Sequence, residues 1–293
     1  MKILVTGASG FVGSAVVNSL LAAGHQVTGL VRSKEAAFKL ESLGVESILG
    51  TIEDLALLKQ NASLTDGVIH TAFNHNFNEY AAAAEADKKA IEALGEALKG
   101  TARPLIVTGG LLGIRPEGEF ITEADAASPF HRASESTAMA LAEEGVNASV
   151  IRLSCSVHDK GDTGFIPFLI NQAQKKGISA YVGDGSNRWP AVHRLDAAEL
   201  FRLAVENPTR GARYNAIADR GFSIKQLAER IGERLHLPTQ SIAEDQVAQH
   251  FEWMSMFITL DAAATSYDTQ AKLGWKPSQP NLLEDMEMNY FPS

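Results

Sequence analysis

Lys2-Ile3-Leu4-Val5-Thr6-Gly7-Ala8-Ser9-Gly10-Phe11-Val12-Gly13 joins an apolar strand to a glycine-spaced turn, and its reading decides the fold. Gly7 permits a tight strand-to-helix turn, Gly10 lets the backbone approach a pyrophosphate, and Gly13 lets the helix pack closely on the strand. From Phe11 to Ala23 apolar residues recur at helical spacing, so the free amides and dipole of that helix point at the same phosphates. A strand expected over 26–31 closes a βαβ unit. Without a ligand, the same turn serves only as a tight connection.

Further strands are expected near 46–49, 67–71, 104–108 and 148–153, with helices near 34–42, 53–60, 77–98 and 131–145. Such alternation predicts an α/β chain with a Rossmann-type doubly wound parallel sheet. After Arg152 the rhythm changes to a loop rich in Gly and Asp, His158 to Gly164, and a helix-like stretch from Phe165 to Lys175. A second loop, Gly183 to Pro190, leads into a helix where Asp196 and Glu199 read as a capping box. Helices are expected near 223–236 and 243–258, followed by irregular Pro-containing sequence. The dinucleotide-binding domain is therefore assigned to 1–155 plus about 191–218, and a smaller C-terminal substrate lobe to about 156–190 and 219–293. The helices holding Ala81 to Ala84 and Ala138, Ala140 and Ala142 present small surfaces, suited to packing on the sheet or across a dimer; monomer and homodimer both stay open.

The 293 residues suffice for a sizeable core, and 26 basic against 35 acidic residues give a net charge of −9. No cluster of Lys and Arg suits a run of phosphates, so nucleic acid is not an expected partner. The single cysteine, Cys155, excludes an intramolecular disulfide and a Cys-based zinc cluster, and fits a reducing compartment. The eight histidines show no metal-ligand spacing, and no metal is expected. No apolar stretch approaches the roughly 18 residues that span a bilayer. With the glycine turn beginning where a leader would still be running, the expectation is a cytoplasmic protein without a membrane partner.

In a doubly wound sheet the ligand lies across the carboxyl ends of the strands. At the end of the second strand the chain reads Val31-Arg32-Ser33-Lys34, with no carboxylate to grip the ribose hydroxyls of NAD. Arg32 and Ser33 suit a 2′-phosphate, which favours NADP(H) over NAD(H); Arg32 is otherwise a solvated arginine. Thr51 and Ile52, before Glu53 and Asp54, edge the adenine or simply lead into a helix.

Thr6 to Gly13, with Val68-Ile69-His70-Thr71-Ala72, Arg152 to His158, and Gly183-Asp184-Gly185 through Val192-His193-Arg194-Leu195-Asp196, make the chain resemble the extended and atypical short-chain dehydrogenase/reductases, the NAD(P)-dependent epimerase/dehydratase group. The resemblance implies that Gly7, Ser9, Gly10, Phe11, Val12 and Gly13 hold the pyrophosphate. It further implies that Thr71 and Ala72 line the cofactor ribose with Phe73 beside them, that Thr108 and Gly109 lie under the nicotinamide, and that Leu153, Ser154, Cys155 and Ser156 meet its carboxamide end.

Members of that group usually carry a tyrosine followed four residues later by lysine, which places both on one helix face. Here Phe130 stands at the tyrosine position and Ser134 at the lysine position, and none of the five tyrosines has a lysine four residues on. Reducing a ketone produces an alkoxide that needs a proton or an oxyanion partner, which phenylalanine does not supply. Thr108, His131 and His158 are the candidate substitutes, each with an ordinary structural role as the rival reading. Arg132 suits an anionic group of the cofactor or substrate, or a salt bridge with Glu135.

Phe251, Trp253, Met254, Met256 and Phe257, with Phe165, Phe168 and Trp189, form the lobe's own core or line a pocket for a small, flat, apolar substrate. The function expected is an NADPH-preferring oxidoreductase acting on a small carbonyl or enone through a non-standard proton donor. The alternative is a catalytically inactive NADP(H)-binding sensor or regulatory protein. An isomerase or dehydratase ranks lower, because it needs the same missing acid and base.

Overall fold

The computed structural model describes residues 1–74, 79–127 and 133–291. Seven parallel strands form its frame: β1 (Lys2–Thr6), β2 (Gln26–Val31), β3 (Glu46–Leu49), β4 (Gly67–His70), β5 (Leu105–Gly110), β6 (Ala148–Leu153) and, from much later in the chain, β10 (Arg213–Ala216). Their order is β3-β2-β1-β4-β5-β6-β10. The winding direction reverses between β1 and β4, where Val5 pairs with Gly29 on one side and with Ile69 on the other. That reversal opens a crevice beyond the carboxyl ends of these strands.

Side-chain alternation divides each strand between two cores. Ile3, Val5, Ile69, Ile106 and Ile151 face helices α1 (Phe11–Ala22), α2 (Lys34–Glu41) and α7 (Arg194–Glu206), with Val16, Leu20 and Phe201 packed against them. Leu4, Val68, Leu105, Val107 and Val150 face α3 (Leu55–Ser63), α4 (Tyr80–Leu98) and α5 (Ser134–Glu143). The doubly wound Rossmann-type expectation is borne out. Helices α4 and α5 pack on each other, a Cβ at Gly95 standing 2.5 Å from Leu141, whereas of the small residues Ala83, Ala138 and Ala142 are buried and Ala81, Ala82 and Ala140 are exposed.

The lobe holds a three-stranded sheet of β7 (Ser156–His158), β9 (Arg188–His193) and β11 (Asp219–Ser223), and a pair made of β8 (Ser179–Val182) and β12 (Thr239–Ile242). Around them pack α6 (Phe165–Lys176), α8 (Ile224–Leu235), α9 (Val247–Phe251), α10 (Tyr267–Leu273) and α11 (Leu282–Asn289).

The structure departs from the expected elements at three places. The stretch 243–258 is not one helix: α9 stops where Glu252 takes φ of 51°, left-handed backbone that an α-helix cannot continue through, and a 3₁₀ turn follows over Glu252–Met256. The end of the chain is not irregular, since α10 and α11 occupy it. Asp196 and Glu199 do not form a capping box, because α7 begins at Arg194 and its cap is His193, whose Nδ1 accepts from the Leu195 amide at 3.2 Å. Asp196 instead accepts the amides of Ser278 and Gln279, both at 3.0 Å, fastening the C-terminal segment to the sheet domain. Among the described residues, no helix is long and apolar enough to cross a membrane.

Candidate functional site

The crevice at the strand reversal is one end of a cavity of about 970 Å³ that continues to the lobe. The glycine turn forms its floor. Gly7 has φ of 70°, and a Cβ there would meet the Ala72 amide nitrogen at 2.8 Å. A Cβ at Gly13 would lie 2.0 Å from the Gly7 carbonyl oxygen, so only glycine lets α1 approach this closely. Helix α1 starts after Gly10 with no side-chain cap and no acid in its first turn, leaving its N-terminal amides directed at the cavity. Those features fit a bound pyrophosphate. Ser9, Gly10, Phe11 and Val12 line the same wall.

Beyond the turn, Leu30, Val31 and Ile52 make an apolar slot with Gly50, Thr51 and Glu53, and exposed Arg32 stands at its mouth. Ser33 is not in the wall: its hydroxyl accepts the Ala36 amide at 3.2 Å as the cap of α2. Asp54 accepts the Thr51 amide at 2.7 Å and precedes α3, which fixes the loop carrying Thr51 and Ile52. Thr71, Ala72 and Phe73 form the middle of the cavity, and Thr71 donates to the Thr6 carbonyl at 2.7 Å.

Toward the lobe the wall passes through Thr108, Gly109, Ser134, Glu135 and Leu153 to Ser156. Thr108 donates its one hydroxyl proton to the His70 carbonyl at 2.8 Å, so in this arrangement it accepts and does not polarise a carbonyl oxygen. Burial pushes the Cys155 thiol far above its ordinary value and keeps it protonated, a poor nucleophile. His158 is placed away from the cavity, fully buried in the lobe, with Nδ1 2.8 Å from Asp285 Oδ2. Phe130, His131 and Arg132 lie outside the described residues.

Glu135 is held by two arginines. Buried Arg152 donates from Nε to its Oε2 at 2.7 Å and from the guanidinium end to its Oε1 at 2.6 Å, and Arg213 donates at 2.8 Å. Arg152 also donates to the carbonyls of Thr122 and Asp125. Burial alone would raise the Glu135 carboxyl; the hydrogen bonds and charges of Arg152 and Arg213 outweigh it and hold the group below its ordinary value. The pair stiffens the wall in ionised form.

At the far end Phe165, Trp253 and Phe257 line the cavity beside Leu111, Leu112 and Ile114. Phe165 lies 5.7 Å from Phe257 and 5.8 Å from Trp253, with Trp189 behind it at 5.2 Å. Trp189, Phe251 and Met254 are fully buried lobe core, and Met256 is exposed. The apolar cluster is therefore partly lobe core and partly cavity wall. Asp162 brings one acid to this end; burial raises its carboxyl, while the Gly164 amide at 2.6 Å and the Tyr290 hydroxyl at 2.8 Å oppose that rise.

Sequence reasoning missed a buried polar chain under the central wall. Thr6 Oγ1 lies 2.8 Å from His70 Nδ1, His70 Nε2 lies 3.0 Å from Asp87 Oδ1, and the Ser134 hydroxyl donates to Asp87 Oδ2. All four side chains are buried. Asp87 sits on the buried stripe of α4 between Ala83 and Ala90, so an acid inside an apolar periodicity is the signal that would have found it.

The NAD dependent epimerase/dehydratase family model matches residues 3–217. An uncharacterised protein of Schizosaccharomyces pombe is 47% identical over 98% of this chain and 98% of its own length. A 4-hydroxy-2-methyl-3-oxo-4-farnesyl-3,4-dihydroquinoline-1-oxide ketoreductase of Stigmatella aurantiaca is 29% identical over 73% of this chain and 67% of that protein. In fold, the chain is similar to a dTDP-glucose 4,6-dehydratase of Streptomyces venezuelae solved with NAD bound, at a TM-score of 0.78 and 18% identity, covering 98% of this chain and 94% of that one. The phosphate-binding turn, the strand reversal and the family match agree: this chain belongs to the NAD-dependent epimerase/dehydratase family.

Proposed function

We propose that the protein is an NADPH-preferring oxidoreductase that reduces a small, flat, apolar carbonyl or enone compound. One observation carries the reading: a single cavity joins the glycine cradle to a wall of Phe165, Trp253 and Phe257. A dinucleotide laid from the apolar slot at Ile52 across the cradle extends toward Thr108 and Leu153, which leaves the aromatic end for a second ligand. Arg32 at the mouth suits the 2′-phosphate, and no carboxylate at the end of β2 competes for the ribose. A relative named as a ketoreductase supports carbonyl reduction.

The replacement of the tyrosine and lysine positions by Phe130 and Ser134 favours a second reading, a sensor that binds NADP(H) without turnover. The two separate in one experiment. The purified protein is titrated with NADPH and NADH and then mixed with aryl ketones and enones while the nicotinamide absorbance is followed. NADPH binding tighter than NADH with turnover of a panel member is the expected result; tight binding with none supports the sensor.

A further inference from the structure

We propose that Asp162 is the counter-ion for a protonated amine, so that the compound taken at the aromatic end carries an ammonium group at the edge of its flat apolar part. The inference rests on the oxidoreductase reading and names the substrate class of that same cavity. Asp162 lines the cavity in company with Gly164, Phe165, Trp253 and Phe257.

The carboxyl is held in place by its own loop. It stands in the turn between β7 and α6, where the Asp162 amide donates to the Asp159 carbonyl at 3.0 Å. Asp159 is itself gripped from the sheet domain by Arg194, whose Nε donates to Oδ2 at 3.0 Å. Asp162 Oδ1 accepts the Gly164 amide, and Oδ2 accepts the Tyr290 hydroxyl from the end of α11. A carboxylate oxygen has two acceptor positions, so each keeps one for a ligand. Both donors are neutral: they fix the direction of the group and leave its charge unbalanced.

The neighbouring charges do not supply that balance. His158 on β7 favours the anion, but its Nδ1 is 2.8 Å from Asp285, whose charge acts in the opposite sense on Asp162. Glu135, the other acid toward the lobe, is already paired with Arg152 and Arg213. Among the described residues Arg32 is the only Lys or Arg of the cavity wall, and it stands at the far mouth beyond the glycine turn. A carboxylate or phosphate ligand would meet like charge at the lobe end. A cation is favoured on two grounds. Its N–H groups bond the remaining acceptor positions of Asp162, and aromatic rings such as those of Phe165, Trp253 and Phe257 attract positive charge while packing on the apolar remainder. Burial, which raises the Asp162 carboxyl, is the cost that such a cation offsets.

The test compares three acetophenones of similar size, bearing an aminomethyl, an ethyl or a carboxylate substituent at the meta or para position. Each is titrated into the protein with and without saturating NADP⁺, and tryptophan fluorescence reads the binding. Wild type is expected to bind the aminomethyl compounds roughly tenfold or more tighter than the ethyl compounds, and the carboxylates most weakly. Asp162→Asn and Asp162→Ser are each expected to erase the aminomethyl preference, with retained NADPH binding reporting that the variant is folded. Equal binding of aminomethyl and ethyl compounds by wild type, a preference that survives in either variant, or no binding of any of the three overturns the ammonium site. Because binding is read without turnover, the two readings fail separately. An amine preference with no NADPH oxidation defeats the oxidoreductase and leaves the site, whereas turnover of neutral ketones with no amine preference does the reverse.

Discussion

The two ends of the cavity are built on different principles. The glycine end is backbone: Gly7, Gly10 and Gly13 leave space by having no side chain, and a phosphate placed there would meet the amides of α1. The lobe end is side chains brought from α5, β6, the loop before α6 and the 3₁₀ turn around Trp253, which lie far apart along the chain. A backbone site tolerates almost no change and says little about the substrate. A side-chain wall tolerates change, and its shape and chemistry decide which second ligand would fit.

Substitutions at the two ends are expected to differ in kind as well as size. Arg152→Leu has the largest effect, about 3–5 kcal/mol of unfolding free energy by urea titration, because it leaves Glu135 buried with Arg213 as its remaining ion-pair partner among the described residues. Since the folded Glu135 value is depressed, its stabilisation is complete above the unfolded value of 4.5 and disappears as pH falls through the lower folded value. Glu135→Gln flattens that acid limb in melting curves taken across it.

Gly13→Ala comes next, weakening NADPH at least about a hundredfold, equivalent to about 2.8 kcal/mol, while aromatic ligands still quench Trp253 fluorescence. Arg32→Ala is expected to cost NADPH about 1.5–3 kcal/mol and NADH almost nothing, as two parallel fluorescence titrations would show. Equal losses for both would remove the 2′-phosphate assignment. Trp253→Ala has the smallest effect, about 1 kcal/mol in the KM of an aryl substrate with NADPH affinity unchanged; a change in NADPH affinity instead would erase the distinction between the ends.

The same division governs what is legible in the sequence. The glycine spacing, the apolar strands and α1 to α5 depend on neighbours within a turn or a strand, so periodicity located them. The break at Glu252 does not. Phe251, Met254, Phe257 and Ile258 keep a helix-like spacing, yet burying them against α6 and β9 demands a left-handed residue that only tertiary packing dictates. Asp196 looked like a cap because its local spacing matched one, whereas its partners are Ser278 and Gln279. Thr6, His70, Asp87 and Ser134 carry no local pattern as a group, since each reads as an ordinary member of its own element. His158 and Thr108 were plausible proton donors by residue type, and only their hydrogen bonds to Asp285 and to the His70 carbonyl show how each is engaged.

In the oxidoreductase we propose, hydride passes from a dinucleotide on the glycine cradle to a carbonyl compound held by Phe165, Trp253 and Phe257. Its most direct test is a single turnover with NADPH deuterated at the transferring position, aryl enones and ketones as acceptors, and mass spectrometry of the products. One deuterium in a reduced product is the result expected of wild type. Saturated NADPH binding with no deuterium in any product would contradict it and leave a sensor.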